Sequence, residues 1–202
     1  MKNDIIFTIG REYGSGGRAV GELLAKDLGI PFYDRELLIE AAKDSSYSEE
    51  ILRTLDEQPM RSMLYSIAMG TTTSFSGANM PISVQAFLAQ LQTIQRLADE
   101  NGSCVFVGRC ADYALRERDN VISAFICADK KKRIANIMRT DNVGEEKAAV
   151  IMKKIDKSRS SYYNYYTERR WGAASNYDLC INSSKVSDEA CVELIKKYAG
   201  IV

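Results

Sequence analysis

Arginine and glycine, rather than histidine, carry the reactive possibilities of this 202-residue chain. Gly10, Gly14, Gly16 and Gly17 crowd around Ser15, with Arg11 and Arg18 among them. Glycines at that density let backbone N–H groups turn toward one anion. A helix opening just behind them adds about half a positive charge at the same spot. Arg18, in the first turn of that helix, supplies a forked guanidinium that can hold two phosphate oxygens at once. Two other places bring arginine. In Gly108-Arg109-Cys110-Ala111-Asp112, Arg109 can clamp a phosphate and Asp112 can hold a hydroxyl or a metal-bound water. In Asp156-Lys157-Ser158-Arg159, with Arg169 and Arg170 beyond, the cations are followed by Tyr162, Tyr163, Tyr165, Tyr166 and Trp171. Those aromatic side chains suit stacking on a base and sealing a lid equally. The absence of histidine removes histidine triads, most zinc sites and histidine general bases.

The glycine pattern satisfies two motifs unequally. Gly14-Ser15-Gly16-Gly17-Arg18-Ala19 fits the dinucleotide turn G-x-G-x-x-G/A literally, with Asp34 near the place of the ribose-binding acid. The P-loop G-x-x-x-x-G-K-[ST] is missed: counted from Gly10 the spacer is one residue too long, and Arg18 and Ala19 stand where Lys and Ser/Thr belong. A bare βα turn with glycines placed only for packing is the bland alternative, and four glycines, a Ser and an Arg together count against it.

Positioning those residues takes a parallel sheet. Ile5 to Ile9 is a short apolar, β-branched run, the pattern of a strand buried on both faces. Ala19, Val20, Leu23, Leu24 and Leu28 recur at helical spacing until Gly29 and Pro31 end the helix. Phe32-Tyr33 predicts a second strand, and Asp34 a cap for a helix over 35–43. Further helices are expected to about 57 and over 61–69, with a flexible loop over 70–79 and a strong helix capped by Ser83 and closed by Gly102. Strands are expected at Cys104–Val107, Val121–Cys127 and Tyr177–Ile181. A helix over 129–139 begins Lys130-Lys131-Lys132-Arg133, which reads as a solvated face. Asn142 with Glu145 reads as a capping box for a long helix through Tyr166, and Ser187 opens a last helix. Five strands alternating with helices predict an α/β fold whose parallel sheet is covered on both faces. Ligands of such sheets bind beyond the carboxyl ends of the strands, where all three arginine-bearing places converge.

Hydrophobic content of 46% and charged content of 27% suit a soluble globular domain. Basic and acidic residues number 27 each, so no net field invites nucleic acid or a membrane surface. No run approaches the roughly 18 apolar residues of a membrane span. Nor does the N-terminus resemble a signal peptide. Cys104, Cys110, Cys127, Cys180 and Cys191 form no C-x-x-C pair, and three lie in strand-like runs, so buried free thiols and a reducing cytoplasm are expected. No residue set is singled out as a metal site.

The chain resembles the cytidylate kinase-like family, a branch of the P-loop nucleoside monophosphate kinases. The resemblance is carried by the run Thr8 to Arg18, by Ile30 to Arg35, by Val107-Gly108-Arg109 with Ala111-Asp112, by Asp156 to Arg159 and by Tyr177 to Ser183. It implies a three-layer P-loop NTPase-like fold with a five-stranded parallel sheet, a helical monophosphate-binding insertion (about 35–102) and a small lid (about 153–172). It implies ATP and Mg²⁺ as cofactors and small-molecule nucleotides as partners. On that resemblance Gly14, Ser15, Gly16, Gly17 and Arg18 hold the donor phosphates. Asp34 and Arg109, with Asp112, face the acceptor, and Arg18, Arg109 and Arg159 act on the transferring phosphoryl group. With Ala19 in place of the magnesium-binding hydroxyl, Ser15, Glu12 or Asp112 would have to replace it. The expected activity is phosphoryl transfer from ATP to an acceptor such as CMP. A kinase-fold protein that binds nucleotide without turnover comes second, and an NAD(P)-dependent oxidoreductase a distant third. Oligomeric state stays open.

Overall fold

A computed structural model of the chain describes residues 4–36, 39, 42 and 81–201. The helices expected over 43–69 and the loop over 70–79 lie outside the described residues. The apolar run forms β1 (Ile6–Arg11), followed by α1 (Gly17–Leu28) and β2 (Phe32–Tyr33). After the described chain resumes come α2 (Ile82–Asn101), β3 (Cys104–Val107), the short α3 (Ala111–Ala114) and β4 (Val121–Cys127). Then follow α4 (Lys130–Asp141), α5 (Glu145–Thr167), a 3₁₀ turn (Ala174–Asn176), β5 (Leu179–Asn182) and α6 (Asp188–Tyr198).

The five strands form one parallel sheet in the order β2-β3-β1-β4-β5. Alternation along β1 sends Phe7 and Ile9 to one face and Ile6 to the other, and each is at most 1% exposed. On the first face α1 and α6 supply Val20, Leu24, Ala25, Cys191, Val192 and Ile195. On the second, α2 and the start of α3 supply Ile94, Leu97, Ala98 and Ala111. Each such large apolar side chain contributes about 1.5–3 kcal/mol by leaving water, which makes this three-layer arrangement rigid at its centre. α4 and α5 pack as a hairpin around Ile134, Ile137, Ala148 and Met152, beside the sheet's carboxyl end.

Two expected helix starts differ from those observed. Ser83 lies inside α2, which begins after Pro81. Asn142 does not cap α5; it closes α4 in the left-handed region at φ 52°, and Gly144 precedes α5. A residue that can end one helix and begin the next took the first task, because Asn tolerates the left-handed conformation. The Ser187 cap forms as expected, its hydroxyl accepting from the Ala190 N–H at 3.2 Å. The cysteines are free, but only Cys104, Cys110 and Cys191 are buried; Cys180 is exposed on the edge strand β5.

Candidate active site

The loop between β1 and α1 is held largely by side-chain hydrogen bonds to its backbone. Gly14 has φ +79°, and a Cβ there would lie 2.6 Å from the Arg133 carbonyl oxygen, so only glycine lets the loop settle on α4. Ser15 is fully buried; its hydroxyl donates to the Glu12 carbonyl at 2.9 Å and faces the Gly17 N–H. From β5, the Ser183 hydroxyl donates to the Ser15 carbonyl at 2.7 Å. The loop is thereby built before any ligand arrives, with its hydroxyl turned inward.

Arg133 completes that scaffold, and it corrects the expectation of a solvated helix face. Its guanidinium is buried and pairs with Glu12 at 3.0 Å and with Asp156 of α5, while its Nε donates to the Tyr13 carbonyl at 2.8 Å. Lys132 also turns inward, donating to the Ser183 carbonyl at 2.5 Å. Lys130 and Lys131 alone of the run are exposed. Asp156 in turn accepts from the Tyr13 N–H at 2.8 Å, so α4, α5 and the loop share one ionic knot.

A cleft of about 540 Å³ opens at the carboxyl ends of β1 and β3, under α5. Its wall includes Arg11, Arg35, Arg109, Lys154 and Arg159, with Asp112 as its carboxylate. Arg11 ends β1; its carbonyl accepts from Arg159 Nη1 at 3.1 Å, and Arg159 also lies over the Tyr13 ring. Arg109 leaves β3 through a turn in which Gly108, Arg109 and Cys110 all have positive φ (76°, 58° and 56°). Two consecutive non-glycine residues in that region cost of order 1–3 kcal/mol each, the kind of strain that persists where a side chain must be aimed. Burial lowers the pKa values of Arg11, Arg109 and Arg159, and neighbouring cations lower them further: Arg159 and Arg109 act on Arg11, and Arg109 on Arg159. Cations gathered against their own repulsion make a receptor for a polyanion.

Part of the lining is aromatic and uncharged, with Tyr162, Tyr163, Trp171 and Tyr177. The Tyr163 hydroxyl donates to Asp112 Oδ2 at 2.6 Å. Burial raises the pKa of Asp112, partly opposed by that hydrogen bond.

Of the residues singled out by sequence, the cleft gathers Arg109, Asp112 and Arg159, and Arg11 with them. It does not gather Gly14, Ser15, Gly16, Gly17 or Arg18, since it meets the loop at Gly10, Arg11 and Tyr13. Arg18 is not the free cation expected there. Its Nε and Nη2 donate to Asp34 Oδ2 at 3.0 and 2.8 Å, and its Nη1 meets Glu22 at 3.0 Å. Asp34, in turn, is buried, its Oδ1 accepts from the Glu36 N–H at 3.1 Å, and it does not line the cleft. Arg169 rests on the Tyr113 ring. Lys154 escaped the sequence reading, although Ile151, Lys154, Ile155, Ser158, Arg159 and Tyr162 follow helical spacing along one face of α5.

A divalent cation needs an anionic oxygen free to turn toward it. The three side chains that could replace the missing loop hydroxyl already make hydrogen bonds or ion pairs. Ser15 donates to Glu12, Glu12 holds Ala128 N–H and Arg133, and Asp112 holds Tyr163. No cluster of three or more acidic or thiol side chains suited to a metal occurs among the described residues. A Mg²⁺ here would take at most a lone pair from one of these side chains, its other ligands coming from phosphate and water, and the cleft itself meets charge chiefly with guanidinium groups.

The profile of the cytidylate kinase-like family matches residues 6–185. No curated protein matches the chain. A solved structure of an uncharacterized protein from Eubacterium ventriosum is 34% identical, covers 97% of this chain and 98% of its own, and superposes with a TM-score of 0.75. Shikimate kinase from Bacteroides thetaiotaomicron shares the fold at 10% identity, with a TM-score of 0.56 over 97% of this chain and 98% of its own. So does a gluconokinase from Sinorhizobium meliloti, at 11% identity and a TM-score of 0.54 over 99% and 94%.

Proposed function

Because the chain belongs to the cytidylate kinase-like family, we propose that it transfers a phosphoryl group from ATP to a small acceptor, with CMP the first candidate among nucleoside monophosphates. The observation that carries this reading is the convergence of Arg11, Arg109 and Arg159 on one cleft at the carboxyl ends of β1 and β3. Phosphoryl transfer asks little covalent chemistry of a protein; it asks for in-line positioning and for cations around the equatorial oxygens. Here an oxygen of the acceptor's phosphate would bond to the γ-phosphorus of ATP as the bond to the β,γ-bridging oxygen breaks and ADP leaves. Arg159 would reach over the transferring group and Arg109 would hold the acceptor's phosphate. The half-buried Asp112 and the aromatic side chains of the lining suit the uncharged part of the acceptor. The backbone of Gly14 to Gly17 and the start of α1 would receive the donor phosphates, and Arg18 would join them only by leaving Asp34. In this reading residues 35–102 form the monophosphate-binding insertion and 153–172 the lid.

One observation favours a second reading, nucleotide binding without turnover: Arg18 replaces the P-loop lysine and is committed to Asp34. A single series separates the two. Thermal shift with mono-, di- and triphosphates, with and without Mg²⁺, is followed by a coupled ADP-release assay on the monophosphates that stabilise. Turnover with a pyrimidine monophosphate is the expected result. ATP stabilisation without turnover on any acceptor selects the binding protein, and stabilisation by NAD(H) or NADP(H) alone defeats both.

A further inference from the structure

We infer that Gln90 is the positioning residue for Arg109, aiming its guanidinium into the cleft and tying it to α5. Gln90 lies on α2, is 4% exposed and does not itself line the cleft. Its Nε2 donates to the Arg109 carbonyl at 2.8 Å, and its Oε1 accepts from Arg109 Nη1 at 3.3 Å. One side chain thus grips the arginine at both ends. The same Nε2 donates to the Tyr162 hydroxyl at 3.1 Å, which brings α5 into the contact. Only an amide offers two donors and an acceptor on one planar group, so neither Glu nor Met can do all three.

The backbone explains why such a grip is needed. Arg109 has φ 58° and Cys110 φ 56°, with Gly108 before them at 76°. A non-glycine turn of this kind persists only where its surroundings hold it. The grip on the carbonyl holds the turn, and the grip on the guanidinium selects its direction among the many rotamers open to arginine. This inference rests on the reading of the cleft as a phosphate site, and it adds a residue that acts only through Arg109.

The test is a double-mutant cycle read by binding. ATP and inorganic pyrophosphate are titrated into wild type, Gln90→Met, Arg109→Ala and the double variant, with melting recorded for each. Gln90→Met should weaken binding about tenfold in the wild-type background, the worth of roughly one hydrogen bond to a charged group. In the Arg109→Ala background it should weaken binding by less than about twofold, because nothing is left to position. Equal losses in both backgrounds, or no loss in either, overturn the inference while leaving the cleft's function standing. Failure of wild type to bind either ligand removes the phosphate site and this inference with it. Should Gln90→Met fail to fold, Gln90→Glu, which keeps the volume and loses both donors, runs the same cycle under the same criteria.

Discussion

A carboxylate drawn away from water into a cleft costs stability there, and Asp112 is the example in this one. Burial raises its pKa, and the hydrogen bond from Tyr163 only partly compensates. For an acid whose folded pKa is raised, the cost is absent below the ordinary carboxylate range, where both states are protonated. It grows as pH rises and the unfolded chain ionises first. Asp112→Asn should therefore melt above wild type at pH 7 and converge with it below about pH 4, near the ordinary aspartate pKa. If Asp112 holds the acceptor, the same variant loses acceptor affinity while gaining stability, the trade expected of a functional group. Differential scanning at several pH values checks the first part. A variant less stable than wild type at pH 7 would show that the carboxylate is held favourably after all.

Among the elements, the α4–α5 hairpin is secured to the loop by Arg133, which pairs with Glu12 and Asp156. Removing one partner of a buried ionic group leaves the others uncompensated, at about 3–5 kcal/mol. Arg133→Gln should lower stability by about 3 kcal/mol in urea unfolding. Lys130→Ala and Lys131→Ala, on exposed positions of the same run, should stay within about 0.5 kcal/mol. Equal effects across the run would mean that the ionic knot contributes little. Because Asp156 also fixes the Tyr13 N–H, slackening this knot should loosen the floor of the cleft together with the hairpin.

At the scale of the whole molecule, phenols and thiols buried across separate elements limit alkaline stability. Burial, chiefly, pushes Tyr13, Tyr166 and the Cys104 thiol up to about 12. The unfolded chain sheds these protons from about pH 9 to 10 upward, whereas the folded chain keeps them. The native state then binds more protons, so stability falls as pH rises through that window. The melting temperature should decline steadily from pH 9 to pH 11, and a flat profile would contradict the burial of these groups.

Composition and pattern alone determined the layered sheet, because an apolar β-branched run such as Ile5 to Ile9 and a clean helical period ending at Gly29 leave the chain few alternatives. They also located the arginine turn after β3, since a Gly-Arg pair leaving a buried strand can lie only at the sheet's carboxyl edge. Which cations face one another was decided by tertiary structure. Arg11 and Arg18 sit seven positions apart, on either side of one loop, and look alike on paper. Arg11 is drawn into the cleft beside Gly108, whereas Arg18, in the first turn of α1, finds Asp34 within 2.8 Å and stays with it. Arg133 stood in a run of lysines, and only the meeting of α4 with α5 set Glu12 and Asp156 before it. Local periodicity specifies the element and its face; the partner of a long charged side chain depends on which distant carboxylate the folded chain brings within reach.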